Sequence, residues 1–204
     1  MLSQNKIIGG TEVRILSYLR KNLEEKASLR QIATMAPLSY NSCYKSALQL
    51  EKEGVLAIER KSGVNYCSLR SSAKTYLLVG YVSLLEAEKV LSPLAILKKI
   101  VEEIIFKHRE IDCLVLFGSY AKGKAQEKSD IDLFCVGNDS KAITAFARHL
   151  SLKYSKEIQM VVGNKEEFRE MLLAKKVNVG TEVRDTGIIL YGYEFFWRMV
   201  LGSR

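Results

Sequence analysis

The stretch Cys113-Leu-Val-Leu-Phe-Gly-Ser-Tyr-Ala-Lys-Gly-Lys-Ala-Gln-Glu-Lys-Ser-Asp-Ile-Asp-Leu-Phe-Cys-Val136 decides the fold of the chain's second half. An apolar run leads into Gly118-Ser119, and a second strand-like run carries Asp130-Ile131-Asp132. Asp130 and Asp132 alternate with Ile131, Leu133 and Cys135, so on a strand both acids share one face. Two carboxylates held together repel each other, and a half-buried sheet makes the repulsion costly. A divalent cation removes that cost, and Mg²⁺ suits oxygen ligands drawn from one or two carboxylates, phosphates and water.

The Gly118-Ser119 turn offers backbone N–H groups and a hydroxyl to an anion. Gly118 lacks a Cβ, so a phosphate can come close to its backbone. Lys122, Lys124 and Lys128 lie between the turn and the aspartates and can offset phosphate charge. An anion cradle beside a carboxylate-held metal suits nucleotidyl transfer. Taken alone, Asp-x-Asp is also compatible with an ordinary turn and exposed strand; the Gly-Ser turn, the two apolar runs and the spacing together favour the site.

The segments Leu116-Phe-Gly-Ser-Tyr-Ala-Lys-Gly123 and Ser129-Asp-Ile-Asp-Leu133 resemble the signature of the polymerase-β-like nucleotidyltransferase superfamily, nearest its minimal prokaryotic members. The resemblance spans about residues 94 to 197 and includes Asp185-Thr-Gly-Ile-Ile-Leu-Tyr-Gly192 as the family's closing strand. It implies a mixed sheet with helices on one side, and Mg²⁺ with an NTP, ATP first, as nucleotide donor. It also implies Asp130 and Asp132 as catalytic metal ligands, with Gly118, Ser119 and Lys122 at the triphosphate. The family places a third acid on the next strand, here Lys156-Glu-Ile-Gln-Met-Val-Val162, where the matching residue is Gln159. An amide carries no charge and is no base near neutral pH. Glu157 lies two residues earlier, roughly 7 Å along a strand, and reads better as a surface charge.

The first half has a different pattern. Val13, Leu16, Leu19 and Leu23, with Ile15 beside them, mark a helix over Thr11 to Glu25. Ser28-Leu-Arg-Gln31 has the form of a capping box, and a third helix runs from about Tyr40 to Lys52 with Gly54 as its stop. Val55 to Leu69 then reads as two strands joined by a turn at Arg60-Lys61-Ser62-Gly63. Residues about 11–70 resemble winged helix-turn-helix domains. That implies a third helix placing Ser39, Tyr40, Asn41, Ser42, Tyr44 and Lys45 in the major groove of double-stranded DNA, with Arg60 and Lys61 on phosphates. Such domains also serve as protein contacts, and Lys45 is the only basic residue early in that helix.

The expected fold class is therefore α+β: residues 1–72 a winged helix-turn-helix, 73–92 a linker helix, and 93–204 a nucleotidyltransferase-like domain. Ser92-Pro93 marks the boundary, with Pro93 in the first turn of a helix over Leu94 to Lys107. The apolar density of Ser72 to Leu91 suits burial in the chain's own core or a homodimer contact. With 48% hydrophobic residues and only two prolines, the chain is expected to be ordered except at its ends. Thr75 to Leu85, its longest uncharged apolar-rich stretch, is too short to span a bilayer. No cleavable signal pattern opens the sequence, so the expected location is cytoplasmic. Cys43, Cys67, Cys113 and Cys135 show no Cys-x-x-Cys spacing and read as reduced buried thiols. A net charge of +8 is compatible with nucleic acid or an anionic nucleotide and decides neither.

Two functions fit. The first is a DNA-binding regulator whose second domain binds Mg-NTP and transfers a nucleotide to a protein, tRNA or small molecule. The second is an inactive regulator or antitoxin-like partner that uses the same fold as a sensor or interface. An antibiotic-modifying nucleotidyltransferase fits the second domain but leaves the first unexplained.

Overall fold

In the computed structural model, which describes residues 7–23 and 26–203, the chain divides into two units, Met1–Val82 and Ser83–Arg204. The first unit runs α1 (Gly10–Lys21), β1 (Ala27–Ser28), α2 (Leu29–Met35), α3 (Tyr40–Lys52), β2 (Leu56–Lys61) and β3 (Val64–Leu69). It then enters α4 (Ala73–Leu91), within which the division falls. α1 ends four residues before Glu25, which lies outside the described residues. Ile15, Leu16 and Leu19 are its core positions, whereas Val13 and Leu23 are only half-buried.

Ser28 and Gln31 close a capping box on α2: the Ser28 hydroxyl accepts from the Gln31 N–H, and the Gln31 side chain accepts from the Ser28 N–H. Three antiparallel strands in the order β1-β3-β2 flank these helices. The β2–β3 turn is Ser62-Gly63, with φ of 50° and 76°. Two left-handed residues give the turn a twist that matches the paired strands. Arg60 and Lys61 are therefore the last residues of β2 instead of part of the turn, because Lys61 already pairs with Val64.

The second unit runs α5 (Ala95–Lys107), β4 (Cys113–Phe117), α6 (Gly118–Ala121), β5 (Ile131–Val136), α7 (Ser140–Tyr154) and β6 (Ile158–Gly163). It continues through α8 (Lys165–Leu173), α9 (Val179–Thr186), β7 (Ile188–Tyr191) and α10 (Tyr193–Gly202). Pro93 precedes the Leu94 cap of α5 and so stands outside its first turn, a correction to the sequence expectation. The sheet order is β6-β5-β4-β7. β5 and β6 are parallel and joined by α7, whereas β4 is antiparallel to both of its neighbours. The sheet is mixed, as expected.

Strand alternation divides the core. Ile131, Leu133 and Cys135 of β5 pack with Ile100 and Ile104 of α5 and with Ile143 and Leu150 of α7. The opposite face is covered too. Phe134 meets Phe168 of α8 at 5.2 Å between ring centroids, and Phe168 meets Phe196 of α10 at 5.8 Å. Trp197 is 1% exposed, and its indole N–H donates to Ser83 Oγ at 2.9 Å. The expectation of helices on one side is thus corrected: helices lie on both faces, because Phe134 and Val115 point away from α5 and α7 and are fully buried. Burying each of these large side chains contributes about 1.5–3 kcal/mol. Among the described residues no helix is long and apolar enough to cross a membrane.

Candidate active site

The site forms where β4 and β5 end side by side. All five residues of β4 are buried, and Phe117 pairs with Asp132 across the ladder. The chain then turns at Gly118, whose φ is +65°. A Cβ built there would lie 2.0 Å from Asp132 Oδ2, so only glycine lets the turn sit against that carboxylate. Gly118 and Ser119 begin the single turn of α6, and the Ser119 hydroxyl has no hydrogen-bond partner among the described residues. Lys122 follows as the cap. The Gln126-to-Ser129 turn brings the chain back into Asp130: the Gln126 N–H donates to Ser129 Oγ and the Ser129 N–H to Gln126 O.

Asp130 and Asp132 are both half-buried and, by strand alternation, share the face of β5 that bears Phe134. Burial raises the Asp132 carboxyl above its ordinary value, and the negative charges of Asp130 and then Glu182 raise it further, with Lys122 opposing. Asp132 pairs in register with Gln159 of β6, whose side-chain amide donates to Asp130 Oδ2 at 2.8 Å. The residue in the third-acid position therefore acts as a donor to the first aspartate. Glu157 precedes β6 and is exposed; its backbone carbonyl accepts from the Ile131 N–H, in keeping with a surface charge.

Glu182, in the first turn of α9, was not singled out from the sequence. Its Oε1 accepts from Lys122 Nζ at 2.7 Å across 60 residues of chain. No local pattern links a lysine after α6 to a glutamate in α9, although the Asn178-x-x-Thr181 cap that fixes the start of α9 is legible. Among the described residues no group of three His, Cys, Asp or Glu side chains is placed to hold a metal by itself. A two-aspartate site with a raised carboxyl fits Mg²⁺ of another kind, one that takes its remaining ligands from nucleotide phosphates and water. All four cysteines are free and buried, and burial pushes the Cys67 and Cys135 thiols up to about 12, which keeps them protonated.

In the first unit, Asn41, Ser42, Tyr44 and Lys45 are exposed on α3, and Tyr40 stacks on Tyr44 at 6.1 Å. Ser39 and Ser42 are occupied with capping: Ser39 Oγ accepts from the Ser42 N–H and donates to Ser42 Oγ. Arg60 and Lys61 are exposed at the end of β2. A groove of about 440 Å³ opens between the hairpin and the start of α2, lined in part by Lys26, Arg30, Tyr40, Asn65 and Tyr66. Lys26, Arg30 and Asn65 were not read as candidates from the sequence.

A family model for polymerase beta nucleotidyltransferases matches residues 98–195, which hold every residue of this second-unit site. A Methanocaldococcus jannaschii protein described as a "putative protein adenylyltransferase" is 35% identical over 99 residues, covering 47% of this chain and 94% of that protein. Among solved structures, a toxin–antitoxin crystal structure with AMP-PNP aligns with a TM-score of 0.38 and 16% identity, over 52% of this chain and 82% of that one. That likeness is too weak to bear on function.

Proposed function

The chain belongs to the polymerase beta nucleotidyltransferase family, and we propose that its second unit transfers AMP from Mg-ATP to a protein hydroxyl. The observation that carries this reading is the contact of the Gly118 turn with Asp132, which puts an anion-sized turn against a charge-stressed carboxylate pair. Asp130 and Asp132 would hold Mg²⁺, which when bound neutralises charge on the reacting phosphates. The Gly118 backbone admits a phosphate, the Ser119 hydroxyl donates to it, and Lys122 balances charge on departing pyrophosphate. The name of the archaeal relative supports ATP as donor and protein as acceptor.

The first unit is read as a winged helix-turn-helix that binds double-stranded DNA. Its element order and three-stranded antiparallel sheet support that reading, as do the exposed Asn41, Lys45, Arg60 and Lys61. A second reading of the other unit, an inactive nucleotide sensor, is favoured by one observation: Gln159 is neutral and bonded to Asp130.

The deciding experiment is incubation of the full chain with α-labelled ATP, Mg²⁺ and protein or tRNA fractions. Transfer predicts label on a protein, lost in Asp132→Ala. An absence of label with a Mg-ATP-dependent rise in melting temperature would leave the sensor reading standing. Neither effect would remove both.

A further inference from the structure

The groove beside the β2–β3 hairpin joins two cations, Lys26 and Arg30, to two aromatic rings, Tyr40 and Tyr66, and no acid lines it. We propose that it seats one unpaired nucleotide at the end of a DNA strand, with the base on the tyrosines and the phosphate on Arg30. The inference rests on the DNA-binding reading of the first unit. It adds a preference for duplexes that carry an unpaired nucleotide.

The walls of the groove are fixed by local pairing. Ser28 of β1 pairs with Tyr66 of β3, and the Ser28–Gln31 capping box sets the start of α2 beside that strand. Tyr40 opens α3, and its ring stacks on Tyr44 with 16° between the planes. Rings already held in place lose little freedom when a base packs on them. A volume of about 440 Å³ gives room for one nucleotide, within the range of about 300–1,000 Å³ usual for small-ligand sites.

The polar groups suit the same occupant. The Asn65 amide is half-buried and the Arg30 guanidinium exposed, and neither has a hydrogen-bond or ion-pair partner among the described residues. The amide offers a donor and an acceptor to a base edge, and the guanidinium fork matches a phosphate. Lys26 is paired with Glu59, which leaves Arg30 as the uncompensated charge of the groove. The groove also continues into the residues read as duplex contacts. Tyr40 directly precedes Asn41, and Val64 pairs with Lys61 across the hairpin. That continuity favours the end of a bound strand over a free nucleotide. Stacking on tyrosine accepts any base, so the preference is for an unpaired nucleotide and not for a sequence.

Fluorescence anisotropy on the full chain tests this with a blunt mixed-sequence duplex and the same duplex carrying one unpaired thymidine at its 3′ end. The overhang is expected to tighten binding about ten-fold, and an abasic overhang to lose most of that gain. Tyr66→Leu keeps an apolar side chain on β3. It should abolish the gain while its blunt-duplex affinity and melting temperature stay at the wild-type values. Arg30→Gln, a change on the exposed surface, should lessen the gain. It should also make the salt dependence of overhang binding, but not of blunt binding, shallower by about one. Equal binding of the two duplexes by wild type overturns the proposal, as does a Tyr66→Leu variant that weakens both alike. Free AMP that binds wild type more tightly than Tyr66→Leu, without DNA, would make the groove a mononucleotide site and overturn it too. If wild type binds neither duplex, the DNA reading falls first and this inference with it.

Discussion

Asp132 carries a charge that the folded chain disfavours. Its carboxyl is raised by burial first, and then by Asp130 and Glu182, so the folded state holds that proton more tightly than the unfolded state does. Stability therefore falls as pH rises through the shifted value, and the penalty is complete above it. Glu53 and Glu103 act in the opposite sense, since their lysine partners hold them low and their contribution disappears on acidification. The comparison of wild type with Asp132→Asn isolates the aspartate. We expect the Asn variant to melt higher at neutral pH, the difference shrinking toward zero in the acidic range above the ordinary carboxylate value. Mg-ATP should raise the melting temperature of wild type only. A variant that melts lower at neutral pH would show that Asp132 stabilises the fold. Gly118 makes a second residue-scale case. Gly118→Ala forces a left-handed φ on alanine and drives a methyl into Asp132 Oδ2, which costs about 1–3 kcal/mol and displaces the carboxylate. Urea unfolding should show that loss, and titration with Mg-ATP at least a ten-fold loss of affinity; unchanged binding would separate the turn from the site.

The β2–β3 hairpin depends on two left-handed residues, and only one of them is glycine. Ser62→Asn supplies the Asn-Gly pair that this turn prefers, and should stabilise the first unit by a few tenths to about 1 kcal/mol. Gly63→Ala should cost about 1–2 kcal/mol. Thermal melts of both variants check the pair, and an opposite sign for either would mean a different turn. Elements of this kind were legible because their signals are local. The Ser28–Gln31 box, the strand alternation through Asp132 and the turn at Ser62-Gly63 all lie within a few residues of sequence. The helices covering the second sheet face were not assigned, because Phe134 reads only as one more apolar strand residue until Phe168 and Phe196 close on it. The same limit applies within the site. Gly118, Ser119, Asp130 and Asp132 lie in one short stretch of sequence, whereas the Lys122–Glu182 and Gln159–Asp130 contacts join residues far apart in it. Contacts of that range depend on how α9 and β6 pack, which no short window of sequence encodes.

At the scale of the whole chain, a net charge of +8 attracts both a polyanionic duplex and a free triphosphate, so total charge does not separate the two proposed activities. The residues assigned to each do. Lys45, Arg60 and Lys61 are in the first unit, and Asp130 and Asp132 in the second. A triple Lys45→Ala, Arg60→Ala, Lys61→Ala variant should bind a mixed-sequence duplex more weakly. Its logarithmic salt dependence should be shallower by about three, one for each lost phosphate contact. Its rise in melting temperature with Mg-ATP should match wild type. Asp132→Asn should show the reverse, with unchanged duplex binding in the absence of nucleotide and no response to Mg-ATP. If Mg-ATP alters duplex affinity in wild type, thermodynamic linkage requires DNA to alter ATP affinity by the same factor, and that coupling should vanish in Asp132→Asn. A triple variant that keeps the full salt dependence would instead make the first unit a protein-contact module, because its exposed cations would then carry none of the attraction to DNA.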